Sequence, residues 1–149
     1  MIEFALPLRV LALLTGLALT PALAYDAKEI SALRDAQGLA IQQDWAEASS
    51  RAQGAGAVGA DVIEWQRLRA GEGLLGEYEA FLARRPDWPG LPYLKAAGEV
   101  AAARSTDPDR VLQYFGGEAP AKAAGILALT AALEAKGRHA EAVEAATIG

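Results

Sequence analysis

The 149-residue chain contains no cysteine, one histidine and one methionine. The first absence removes a disulfide framework, a thiolate nucleophile and a lipid-accepting cysteine behind a leader. A lone histidine, His139, cannot build a metal centre with scattered carboxylates, and no cysteine or nearby serine stands ready for it to activate. A glycine-rich phosphate cradle is also missing, because Gly54-Ala55-Gly56 precedes no lysine and follows no strand pattern. No stretch sustains the period-two alternation of a strand. Positive charge is in short supply: 14 Lys and Arg against 19 Asp and Glu leave a net charge of −5, which speaks against nucleic acid and anionic membrane surfaces as partners. The sequence therefore leads us to expect no cofactor, no metal ligands and no catalytic constellation.

The first 24 residues read as a secretory signal peptide. Arg9 precedes an apolar run from Val10 to Leu19, Pro21 breaks it, and Ala22-Leu23-Ala24 supplies small residues for cleavage before Tyr25. The run is far shorter than the ~20 apolar residues of a membrane span. The expectation is export to the periplasm as a soluble protein with no membrane anchor. Residues 25–149 form the folded part.

From Tyr25 onward the spacing of apolar residues is helical. Ile30, Leu33, Gln37 and Ile41 mark the stripe of a first helix, and Asp44 caps a second from Trp45 to about Ala52. Gly54 and Gly56 suggest a long turn. A third helix covers about Ala60 to Arg69, with Val62, Ile63, Trp65 and Leu68 on its buried side, and Gly71 and Gly73 end it. A fourth runs from about Leu74 to Arg84 with Leu74, Tyr78, Phe81 and Leu82 as its stripe.

Pro86-Asp87-Trp88-Pro89-Gly90 then makes a rigid corner: each proline fixes its own φ and disfavours the α conformation just before it. Pro92 opens a fifth helix to about Ala103, and Thr106 or Asp107 caps a sixth ended by Gly116-Gly117. Pro120 opens a seventh to Lys136, and the last spans about Arg138 to Ala146. Leu39 to Ala48 echoes Leu133 to Ala142, each closing one helix and opening the next with Ala-Glu-Ala. The pattern predicts an all-α superhelical array, an α-solenoid of short antiparallel, tetratricopeptide-like hairpins.

Single residues add little chemistry. Glu64 beside Trp65 is the most suggestive carboxylate for glycosidase work, but a charged residue beside an apolar one on a helix is better read as a wetted edge. Glu99 suits structure, pairing with Lys95 or reaching a neighbouring helix. Arg84 and Arg85 complement a helix C-terminus, the alternative being an anion or sugar-acid contact beside Trp88. Trp45, Trp65 and Trp88 are better read as packing anchors than as sugar platforms.

From about Val62 to Ala146 the chain resembles the N-terminal helical region of the soluble lytic murein transglycosylases. The residues that carry the resemblance are Glu64-Trp65-Gln66-Arg67-Leu68-Arg69 with Gly71-Glu72-Gly73, then Glu77-Tyr78-Glu79-Ala80-Phe81-Leu82. The Pro86-Asp87-Trp88-Pro89-Gly90-Leu91 corner follows, with Leu94 and Glu99 downstream. Val111-Leu112-Gln113-Tyr114-Phe115, Pro120, Gly125 and Ala132-Leu133…Gly137…Glu141-Ala142 complete it. Lys122 departs from it, standing where a threonine is expected. Trp65, Tyr78, Phe81, Pro86, Asp87, Trp88, Pro89, Gly90 and Glu99 are its structural markers.

The resemblance implies a curved superhelix that carries a separate lysozyme-like domain. It also implies cleavage of the MurNAc–GlcNAc bonds of peptidoglycan to a 1,6-anhydro product without a metal or organic cofactor. The Glu-Ser pair of that catalytic domain is absent here, so no catalytic residue can be placed. The leading expectation is a truncated scaffold segment, inactive alone, whose partners are glycan strands and the missing C-terminal part. Its uncapped end predicts poor solubility or self-association. The alternatives are a periplasmic helical-repeat module that binds a protein or peptide, and an enzyme that uses Glu64.

Overall fold

The computed structural model describes residues 26–147. The expected signal peptide lies outside the described residues, as do Ile148 and Gly149. Among the described residues the chain is all-α, with no strand. The helices are α1 (Ala27–Ile41), α2 (Trp45–Ala52), α3 (Gly56–Arg69), α4 (Leu75–Arg84), α5 (Leu91–Ala102), α6 (Pro108–Phe115), α7 (Ala123–Ala135) and α8 (His139–Thr147). A 3-10 turn at Gln53–Ala55 joins α2 to α3.

Local chemistry sets most of these ends. The side chains of Asp26, Asp44 and Asp107 accept the first free N–H groups of α1, α2 and α6. Glu77 reaches back to the N–H of Leu74 at 2.8 Å and so closes the start of α4. Gly116, with φ of 58°, ends α6 in the left-handed conformation that glycine adopts without strain.

Three expectations are corrected. The α1 stripe is not buried as a unit: Ile30 is 47% and Ile41 84% exposed, while Ala36 and Ala40 are buried. Small residues let α2 and α3 approach α1 closely, which turns the larger isoleucines outward. The long turn at Gly54 and Gly56 is instead a tight 3-10 turn running into α3 four residues early. Gly56 has φ of 70° and the Glu29 carboxylate lies 3.0 Å from where a Cβ would stand, so only glycine fits that start. Leu74 is 75% exposed in the extended cap of α4, and Leu75 takes its place in the core. In addition, α7 begins at Ala123 rather than at Pro120.

Packing runs along the chain. α3 packs on α1, α5 on α3, and α7 on α5, while α2, α4, α6 and α8 pack on their sequence neighbours. The main core joins Leu68, Tyr78, Phe81, Leu94, Val111 and Phe115. Smaller clusters of Ala36, Ala48 and Ile63, and of Leu133, Ala142 and Ala145, lie towards the two ends. At the centre, α5 passes so close to Tyr78 and Tyr114 that a Cβ on Gly98 would stand 2.2 Å from the Tyr114 hydroxyl.

Candidate functional site

The corner after α4 and the helices it joins gather most of the sequence-singled residues. Phe81 is fully buried, and the Trp88 indole meets it edge to face, with centroids 5.7 Å apart and planes at 88°. Trp88 and Trp65 are half-buried against the main core, whereas Pro86, Asp87 and Pro89 are exposed. Gly90, with φ of 73°, turns the chain into α5, and a Cβ there would touch the Trp65 ring at 3.8 Å. The Trp65 indole N–H is buried without a hydrogen-bond partner.

An ion-pair network ties this corner to α3. The Arg84 guanidinium donates to Asp61 at 3.1 Å and to Glu64 at 2.6 Å, and Arg85 Nε donates to the other Asp61 oxygen at 2.6 Å. Asp61 is 5% exposed and takes both cations. Burial works against the Arg84 charge, but the Asp61 and Glu64 carboxylates outweigh it and hold the guanidinium above its usual pKa. Arg84 also lies over the Phe81 ring at 5.4 Å, Arg85 over Trp88 at 5.7 Å, and Arg69 over Trp65 at 4.6 Å. Glu64 is thus held in an ion pair with the Arg84 guanidinium rather than in the apolar pocket that a glycosidase acid occupies.

Tyr78 is buried and donates its hydroxyl to the Leu68 carbonyl at 2.7 Å, and burial pushes its phenol above the ordinary pKa. Tyr114 does likewise with Lys95 at 2.6 Å; burial first, then the nearby Glu99 charge, raises it further. Glu99 is buried, and its two oxygens accept the N–H groups of Ala121 at 2.7 Å and Lys122 at 2.8 Å, just ahead of α7. It therefore reaches the neighbouring segment, and Lys95 pairs with Glu118 instead. Lys122, at the cap position of α7, makes no side-chain cap bond.

The remaining candidates sit apart. Trp45 packs half-buried on the small N-terminal cluster. His139 is exposed at the start of α8 and bonds Glu134 at 2.5 Å. Sequence reasoning missed Asp61, whose signal was an acid set among Gly59, Ala60, Val62 and Ile63 on a helix; its partners lie 23 and 24 positions away. It also missed Arg67, which binds Glu77 and holds that carboxyl below its ordinary pKa through the Arg67 hydrogen bond.

The site as built joins helices through paired charges and an edge-to-face ring contact. Among the described residues no group of three His, Cys, Asp or Glu side chains is arranged to hold a metal. Nor is any described helix long and apolar enough to cross a membrane. No family model, curated protein or solved structure matches the chain.

Proposed function

We propose that the chain is the N-terminal superhelical scaffold segment of a periplasmic lytic transglycosylase acting on peptidoglycan. It contributes helix geometry, and supplies no catalytic group itself. The observation that carries this reading is the convergence of Trp65, Tyr78, Phe81, Trp88, Gly90 and Glu99. These residues, which carry the family resemblance, fasten α3, α4, α5 and the lead into α7 to one another. The row of alternate helices α1, α3, α5 and α7 supports the solenoid part of the reading, since each contacts only near neighbours along the chain. The experiment is cell fractionation with an antibody to residues 26–147. Intact mass of the captured polypeptide should place it in the periplasm, processed before Tyr25 and carrying further chain after Gly149. A cytoplasmic, unprocessed product would contradict the reading.

A second reading is a periplasmic helical-repeat module that binds a protein or peptide. Tyr93 on α5 and Leu127 on α7, 74% and 71% exposed on successive helices of that row, favour it. A periplasmic product that ends at Gly149 would select this module over the enzyme scaffold.

A further inference from the structure

Trp45 opens α2 and belongs to none of the contacts that hold Trp65 and Trp88 at the corner. Its indole rests on the small cluster of Ala36, Ala48 and Ile63, and its uncovered part lines an open cleft of about 430 Å³. The other walls are Ala46 and Ser49 on α2, Arg67 near the end of α3, Glu72 in the turn, and Glu77 on α4. The cleft exists because α2 and α4 form no packed interface with each other; each rests on its sequence neighbours.

Arg67 is fixed in this cleft, its side chain 18% exposed. Its Nη2 donates to Glu77 at 2.5 Å and its Nη1 to the Glu72 carbonyl. The Arg67 Nε–H, the Ser49 hydroxyl and the Glu72 carboxylate have no partner among the described residues. Uncommitted donors and acceptors thus surround one aromatic surface. Arg67 set against Glu72 and Glu77 leaves a net negative charge, which disfavours phosphate, sulfate and acidic peptides. Of the walls only Trp45 and Ala46 are apolar, too little for an amphipathic helix, and no strand edge is present among the described residues for an extended peptide. A sugar ring meets these terms: its C–H face is apolar, and the hydroxyls at its rim both donate and accept.

We propose that this cleft is a sugar-binding subsite for a glycan strand. One pyranose ring lies against Trp45, a hydroxyl donates to the Glu72 carboxylate, and others accept from the Arg67 Nε–H and the Ser49 hydroxyl. Trp45 then serves both as a packing anchor and as a sugar platform. Because the cleft is open rather than enclosed, the strand can continue beyond the bound ring. The choice of a cell-wall glycan as that strand rests on the scaffold reading above; the subsite itself rests on the cleft.

Isothermal titration calorimetry of the full chain with the β-1,4-linked tetramer of N-acetylglucosamine tests this, with circular dichroism to confirm the fold of each variant. The unaltered chain should bind the tetramer saturably. Trp45→Ala should weaken binding about tenfold or more, as should Ser49→Arg, which fills the cleft from an exposed helix position and leaves the core intact. Glu72→Ala, in the exposed turn, should weaken it to a smaller degree. Tyr93→Ala removes an aromatic that is 74% exposed outside the cleft and should change nothing. No binding by the unaltered chain, undiminished binding by folded Ser49→Arg, an equal loss in Tyr93→Ala, or binding of tetralysine in place of the tetrasaccharide would overturn the proposal. A chain that fails to bind, from a native polypeptide that is periplasmic and continues past Gly149, removes the subsite alone. A chain that binds but is cytoplasmic and unprocessed removes the scaffold reading alone.

Discussion

The Asp61 carboxylate on α3 binds Arg84 at the end of α4 at 3.1 Å, spanning 23 positions of sequence. The pair, completed by Arg85, is the one place where a buried charge fixes the angle of the corner. Removing the carboxylate leaves Arg84 its Glu64 partner and leaves Arg85, 33% exposed, to find water. Asp61→Ala should therefore cost about 1–3 kcal/mol, below the range for a fully buried pair. A double-mutant cycle with Arg85→Ala, read by urea denaturation, should return a coupling of about 1 kcal/mol.

Glu99 closes two N–H groups ahead of α7 that have no other partner in the helix. Glu99→Ala should cost about 2–4 kcal/mol, while Glu99→Gln, which keeps one acceptor, should cost about half as much. Hydrogen exchange at Ala121 and Lys122 should accelerate in both variants, more in the first.

Gly98 is a contact point between α5 and two tyrosines. Gly98→Ala places a Cβ 2.2 Å from the Tyr114 hydroxyl, so the helix must shift, and a loss of about 1–3 kcal/mol or more is expected. Tyr114→Phe removes the clashing oxygen and should recover part of that loss. Equal destabilisation in the single and double variants would contradict the contact.

Phe81 and Trp88 form the apolar half of the corner. Phe81→Ala should cost about 3–5 kcal/mol by emptying a fully buried site. Trp88→Phe should cost less than Trp88→Ala, since a smaller ring still meets the Phe81 edge. Thermal unfolding ranks the three.

Glu77 supplies a pH dependence whose sign is fixed by Arg67. Its folded pKa lies below the ordinary value of 4.5. Stability from this pair is thus fully present above that value and declines as pH falls through the lowered one. The group is 40% exposed, so solvent screens the effect. Glu77→Gln should flatten the acid limb of a stability-against-pH curve while leaving its shape near neutrality unchanged.

Helix order and most helix ends were legible in the sequence because their causes are local. Asp44, Asp107, Pro108 and Gly116 act within a turn of their own positions, so a reader of the chain can place them. Burial was less legible where it depends on a distant partner. Ile30 and Ile41 look like core residues on α1, and only the close approach of α2 and α3 through Ala36 and Ala40 turns them outward. Gly56 looked like a loop residue because the Glu29 carboxylate that demands it lies elsewhere in the chain. Asp61 was hidden for the same reason, its two arginines standing beyond the next turn. Glu99 was half legible: a charged residue in an apolar helix needs a partner, but the sequence offered Lys95 as readily as the N–H groups ahead of α7.

The scaffold claim is tested most directly by the release of 1,6-anhydromuropeptides from purified peptidoglycan, read by mass spectrometry. Two samples are compared: the 149-residue chain and the native polypeptide captured from cells with an antibody to the same residues. Release by the native polypeptide and none by the isolated chain is the expected result. Release by the isolated chain, or none from either sample, would contradict it.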